Sequence, residues 1–214
     1  MDVNHFWPSQ ELLHTLLAEK SQKLWKELFA LRKSTWEGFA AIEETKGVIK
    51  PTVSLSTPYG QEVLRILMFR VLEEAAESLM SEAEIHIKEE LIDAMNYLMS
   101  IFLLDGDQGL KTAIMHFIDI TESLNTAEAW GKKFNVETLG QITYYLGGIL
   151  SDKLRNRAWM QHAQDFYFSS WGVFTETLTD VASLLMASFD SFEDFLKYFI
   201  AKDLVLQFRL RSNY

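Results

Sequence analysis

Proline is confined to the start of this chain. All three prolines lie in the first 58 of 214 residues, and the remaining 156 residues contain none. Proline removes a backbone donor and breaks helices, so a long stretch without it indicates a helical body. Apolar residues agree with this, because they recur at steps of three and four, as in the row Leu64, Leu67, Val71, Ala75 and Leu79. The chain is therefore predicted to be all-α.

A bundle of about seven helices is expected from these rows. The predicted helices cover residues 9–34, 60–80, 82–104, 109–124, 136–157, 164–188 and 191–207. Residues 35–59 are weakly patterned and hold two prolines, which indicates a loop or irregular arm. Ser81 followed by Glu84 fits a capping box that opens the third helix. The second and third helices are almost contiguous, which favours an antiparallel hairpin.

A second hairpin over residues 139–189 is interpreted as a weak internal repeat of the first. Thr177 and Asp180 in this segment stand where the first hairpin has Glu90 and Asp93. The second copy lacks the full set of acids, so the repeat is expected to be degenerate in function.

Charge and composition exclude several classes of function. The net charge of −10, from 20 basic and 30 acidic residues, argues against a nucleic-acid partner. The absence of cysteine excludes a disulfide framework and a thiolate metal site. No apolar run approaches the roughly 18–20 residues of a membrane helix, and the first residues lack the pattern of a signal peptide. We therefore expect a cytoplasmic protein with no membrane partner.

Acidic residues cluster on the predicted first hairpin. Glu74 and Glu77 lie three residues apart on one helix, and Glu90 and Asp93 lie three apart on the next. Residues at this spacing project from the same side of a helix, and both pairs border an apolar stripe. Four converging carboxylates repel one another, and a hard cation such as Mg²⁺ relieves that repulsion. The alternative interpretation is a solvated acidic face.

These acidic residues carry a resemblance to a known family. Glu74-Ala-Ala-Glu77 followed by Glu90-Leu-Ile-Asp93 resembles the E-x-x-E…E-x-x-D signature of the all-α nucleoside triphosphate pyrophosphatases. That group includes MazG-type and HisE-type enzymes, dimeric dUTPases and phage dCTP pyrophosphatases. The surrounding stretch is similar to the E-L-V-D-x-x-H-F-x-L of the dUTPase/dCTPase branch, with Asn96 in the place of the histidine.

The carboxyl-terminal segment extends the resemblance. Members of the same branch end in a pattern like Y-x-x-K-N-x-x-N-x-x-R-x-x-x-G-Y. Lys202, Arg209 and Tyr214 fall at matching spacings, whereas Asp203 replaces the first asparagine. The last 18 residues hold four basic residues against one acid. Lys202 and Arg209 can therefore meet phosphate oxygens, and a solvated basic tail is the alternative.

The resemblance implies an architecture and a reaction. It implies a MazG-like four-helix core in a single domain over residues 1–214. Within that domain, residues 61–104 would be the metal-binding hairpin, and residues 139–214 would supply the second hairpin and the substrate-binding carboxyl terminus. The expected activity is magnesium-dependent hydrolysis of a deoxynucleoside triphosphate, dUTP or dCTP, to dNMP and pyrophosphate by a homodimer. The similarity to phage enzymes would place a viral member in the host cytoplasm.

Roles for individual residues also come from the resemblance. Two or more Mg²⁺ ions per site would be held by Glu74, Glu77, Glu90 and Asp93, with Glu77 also orienting or deprotonating the water. Substrate contacts would come from Lys202, Arg209, Tyr214, Arg157, Asn96 and Gln22. Two alternatives remain open at this point: the same reaction on another or modified nucleotide, and a non-catalytic acidic helical protein that binds a basic partner.

Overall fold

The regular elements of the described residues are all helical, which confirms the all-α prediction. The computed structural model describes residues 3–18, 21–45, 53–55, 57–124, 126–150 and 171–212. Within these ranges the α-helices are α1 Gln10–Ala18, α2 Ser21–Thr45, α3 Pro58–Met80, α4 Glu84–Leu103, α5 Gly106–Ser123, α6 Val136–Thr143, α7 Trp171–Met186 and α8 Phe192–Ser212. Two short 3₁₀ helices cover Val3–Phe6 and Ala127–Ala129, and a π-helical segment, Tyr144–Leu150, continues α6.

Helix α2 is longer than predicted. The prediction of a loop from residue 35 onward is wrong for residues 35–45, which continue the helix. Thr35 and Trp36 are buried there, and α2 packs against α4, α5 and α8. Tertiary burial thus stabilises a stretch whose own helical pattern is weak. Residues 46–52 lie outside the described part of the chain.

Helices α3 and α4 form the predicted antiparallel hairpin, joined by residues 81–83. Thr57 caps the start of α3 by accepting a hydrogen bond from the Gly60 amide at 3.0 Å. The predicted capping box at Ser81 is wrong, because α4 begins at Glu84 and its N-cap is Ala83. The Ser81 hydroxyl instead donates to the Glu77 carbonyl at 3.3 Å, at the end of α3.

A continuous hydrophobic core joins residues from all eight α-helices of the described ranges. Its aromatic centre lies around Trp25 of α2, whose ring centroid is 4.7 Å from that of Phe117 in α5 and 6.3 Å from that of Phe195 in α8. Aromatic pairs at these separations contribute about 0.5–1.5 kcal/mol beyond their buried area. This packing holds the carboxyl-terminal helix against the body of the protein.

A buried lysine joins the start of α4 to the beginning of α8 and to the segment before it. The Lys88 ammonium lies 2.6 Å from a carboxylate oxygen of Asp190 and 2.8 Å from one of Asp194. The Lys88 side chain is only 7% exposed, so these partners compensate the burial of its charge. These contacts hold the start of α8 against the start of α4, in the hairpin that α3 and α4 form.

The second half of the chain only partly follows the prediction. The helix expected over 136–157 becomes π-helical at Tyr144, and residues 151–170 lie outside the described part. The π-helical segment packs against α7, and the second hairpin over residues 139–189 stays a prediction. In α7, Thr177 is buried and Asp180 is exposed. They therefore do not form a counterpart of the Glu90 and Asp93 pair.

None of the helices in the described ranges combines the length and apolar character that a membrane span requires.

Candidate metal centre

Three carboxylates converge on one side of the acidic hairpin. Glu74 lies six residues before the end of α3, and Glu90 lies six residues after the start of α4, so the antiparallel hairpin brings them to the same level. Asp93 follows one turn later. One oxygen from each of the three lies within 4.8 Å of the others. Among the described residues, this is the one group of three or more acids, histidines or cysteines close enough to hold a metal ion.

Burial and mutual repulsion raise the pKa values of this group. Burial, the negative charge of Asp93 and a hydrogen bond with Glu90 together raise the pKa of Glu74 to about 8. The pKa of Glu90 is raised by burial and then by Asp93. Burial also raises the pKa of Asp93, against the opposing effect of Lys202. Three half-buried like charges are costly, and a divalent cation would remove most of that cost.

Glu77, the fourth predicted ligand, lies at the exposed edge of the cluster. It is not one of the three acids whose oxygens converge, and its side chain is exposed on α3. Its charge still contributes to the raised pKa values of Glu74 and Glu90. The structure therefore brings three of the four predicted ligands together and places the fourth nearby, toward solvent.

Helix α8 brings basic side chains to the acidic cluster. The Lys202 ammonium lies 2.6 Å from a carboxylate oxygen of Asp93, and the lysine side chain is only 13% exposed. Arg209 follows seven residues later, two turns along α8, and its positive charge lowers the pKa of Asp93. One of the predicted phosphate contacts, Lys202, thus touches one of the three converging acids, and a second, Arg209, follows on the same helix.

The other predicted substrate contacts have different positions. Asn96 is 3% exposed, and neither atom of its side-chain amide has a hydrogen-bond partner in the described part of the chain. An unpaired buried polar group costs about 1–3 kcal/mol. Gln22 is exposed near the start of α2. It lies about 15 Å along the helix axis before Arg32, the residue of α2 that contacts α4 and α8. Arg157 and Tyr214 lie outside the described residues.

Sequence reasoning missed Arg32 of α2, a further basic residue whose charge lowers the pKa of Asp93. Its Nη1 lies 3.0 Å from Oδ1 of Asp203, and both side chains are buried. The available signal was an arginine within the apolar row of α2, between Phe29 and Trp36. In the sequence, Asp203 stands out only as a departure from the family pattern.

Comparison with protein-family models, with curated proteins and with solved structures finds no match to this chain. The resemblance to the all-α pyrophosphatases therefore rests on the motifs quoted above.

The raised pKa of Glu74 predicts a pH dependence of stability. Without metal, folded Glu74 keeps its proton up to a pKa of about 8, whereas unfolded Glu74 loses it near the ordinary value of 4.5. Between these values the folded state binds more protons, so the free energy of unfolding should fall as pH rises from about 4.5 to about 8. Urea unfolding in EDTA at several pH values measures this decline.

Glu74→Gln should flatten that decline and stabilise the metal-free protein at the upper end of the range. Glu82→Gln is the matched control, because Glu82 is exposed and lies outside the cluster, and its profile should follow the wild type. A Glu74→Gln profile as steep as the wild type would show that Glu74 keeps an ordinary pKa.

Proposed function

We propose that this chain is a magnesium-dependent pyrophosphatase that hydrolyses a deoxynucleoside triphosphate to dNMP and pyrophosphate. The observation that carries the proposal is the convergence of Glu74, Glu90 and Asp93, from two helices, within 4.8 Å, with Lys202 in direct contact with Asp93. Acids suit a hard cation, and the adjacent cations suit the phosphates of the substrate. dUTP and dCTP are the favoured substrates because of the resemblance.

The donor set fits magnesium. All three groups offer oxygen, the atom that Mg²⁺ prefers, and three carboxylates leave coordination positions for water and phosphate oxygens. Glu74 would lose its proton on cation binding, as metal sites require deprotonated ligands. Bound Mg²⁺ would neutralise the triphosphate and lower the pKa of a water molecule. The resemblance implies a second ion, for which Glu77 would supply a further carboxylate.

Other residues of the chain would activate the water and bind the phosphates. Glu77, at the exposed edge, is proposed to orient or deprotonate the water that attacks the α-phosphorus, with pyrophosphate as the leaving group. The Lys202 ammonium has three donors, so it can hold Asp93 and a phosphate oxygen together. Arg209 can bind a phosphate through two parallel hydrogen bonds. Catalysis then rests on positioning and charge stabilisation.

Asn96 supports the nucleotide part of the proposal. It is buried one turn after Asp93 with an amide that lacks partners in the described residues. An amide both donates and accepts, so it can pair with a base or sugar hydroxyl. The homodimer and the cytoplasmic location stay predictions from the sequence.

The test is a panel of the natural deoxynucleoside triphosphates, dUTP and modified analogues, each incubated with the protein and Mg²⁺ and resolved by ion-exchange chromatography. The proposal expects dNMP and pyrophosphate from dUTP or dCTP, and no product in EDTA. Cleavage of a different nucleotide alone would identify another substrate for the same reaction. Survival of every nucleotide, or formation of dNDP and phosphate, would refute the proposal. Calorimetry with Mg²⁺ separates the non-catalytic acidic protein, which should bind no magnesium.

A further inference from the structure

Behind the acidic cluster, Arg32 joins α2 to α8 through a buried ion pair. Arg32 Nη1 lies 3.0 Å from Asp203 Oδ1, with side-chain exposures of 5% and 0%. Asp203 is the residue next to Lys202 on α8. The ion pair is therefore attached directly to the turn of helix that presents Lys202 to the cluster.

Arg32 also faces α4. Its Nε and Nη2 atoms each lie 3.4 Å from the Ser100 hydroxyl oxygen, and that hydroxyl donates to the Asn96 carbonyl at 2.8 Å. Ser100 lies seven residues, or two turns, after Asp93. The Arg32 guanidinium thus contacts both α4, which carries Asp93, and α8, which carries Lys202.

The energetics favour a role other than stability. Desolvation of two charges often exceeds their mutual attraction, and apolar residues of similar volume in place of a buried ion pair are often neutral or stabilising. A planar guanidinium does impose direction on its partners. A slip of α8 by one residue would move Lys202 by about 1.5 Å along the axis and about 100° around it, which would separate it from Asp93.

We propose that Arg32 and Asp203 are positioning residues, which set the register of α8 so that Lys202 meets Asp93 and, if the proposed function holds, the phosphates of the substrate. The role of Lys202 on phosphate rests on the proposed function. The placement of Lys202 against Asp93 does not rest on it.

The test replaces the ion pair by apolar residues, Arg32→Met with Asp203→Leu. In this background and in wild type, Asp93→Asn and Lys202→Met are made singly and together as a double-mutant cycle. Urea unfolding in EDTA measures the stability of each variant. Asp93 and Lys202 should be coupled by about tenfold in the wild-type unfolding equilibrium constant, and by less than about twofold in the apolar background. The apolar background itself should be at least as stable as wild type.

Activity gives a second readout. In the apolar background kcat should fall by about 10- to 100-fold, the range for residues that orient ligands. KM should change less, and the protein should remain folded. Lys23→Met with Glu27→Gln is the control, because it removes an ion pair within α2 that involves neither α4 nor α8, and it should leave the Asp93–Lys202 coupling unchanged. Undiminished coupling in the apolar background would overturn the proposal.

Two further outcomes are also decisive. If the apolar background does not fold, the cycle is repeated in Arg32→Lys, which keeps the charge and loses the planar group. Wild-type coupling in that variant would overturn the positioning role. Reduced coupling would support it. If the wild type hydrolyses no nucleotide, the proposed function fails, while the cycle still decides whether Arg32 and Asp203 place Lys202.

Discussion

Glu90→Gln with Asp93→Asn should abolish both magnesium binding and hydrolysis. Two of the three converging carboxylates then lose their charge, and kcat should fall by more than about 1,000-fold, beyond the loss seen for a single charge-stabilising group. Saturating Mg²⁺ should stabilise the wild type by about 2.7 kcal/mol at one hundred times Kd, or roughly 5–10 °C in Tm for a chain of this size. This shift should vanish in the double variant.

The metal-free double variant should stay folded with a stability close to that of the wild type, because relief of the repulsion among the acids offsets the loss of the Asp93–Lys202 contact. That result separates loss of a ligand from loss of the fold. Glu82→Gln with Asp119→Asn is the matched control, since it makes the same chemical changes at exposed acids outside the cluster. An unchanged magnesium shift in the cluster variant would place the metal elsewhere.

Arg209→Ala should lower kcat/KM by about 100- to 1,000-fold, which corresponds to roughly 2.7–4 kcal/mol of transition-state stabilisation. The reason is the loss of a charge-assisted contact to the phosphates. The positive charge of Arg209 already lowers the pKa of Asp93. Steady-state kinetics with the nucleotide cleaved by the wild type measures the effect. Magnesium affinity, followed by the Tm shift, should change little.

Arg211→Ala is the control for that variant. Arg211 is exposed, two residues further along α8, so it makes the same change in charge at a different face. Arg209→Lys should fall between the wild type and Arg209→Ala, because it keeps the charge without the paired donors. Equal rates for Arg209→Ala and Arg211→Ala would show that Arg209 is part of a solvated basic tail.

Local spacing predicted the acidic part of the site. The proline-free body and the apolar periodicity predict helices, and the short link after Met80 predicts a hairpin. Because i and i+3 positions share a face, the approach of Glu74 to Glu90 and Asp93 follows from the sequence. The position of Glu77 did not follow, since exposure depends on the exact rotation of α3 against its neighbours.

Other features depend on tertiary packing and could not be derived from spacing. The continuation of α2 past residue 34 depends on burial of Trp36 against distant helices. The pair of Arg32 and Asp203 joins residues 171 positions apart, and no periodicity relates them. Basic composition indicated that the carboxyl-terminal segment could bind phosphate, but the fold was needed to show that Lys202 contacts Asp93.

Hydrolysis in ¹⁸O-labelled water tests the proposed chemistry most directly. The protein is incubated with Mg²⁺ and dUTP or dCTP, and the products are analysed by mass spectrometry. Attack at the α-phosphorus predicts one ¹⁸O atom in the nucleoside monophosphate and none in the pyrophosphate. Label in pyrophosphate, label in inorganic phosphate with dNDP as the other product, or the absence of any hydrolysis would contradict the proposed reaction.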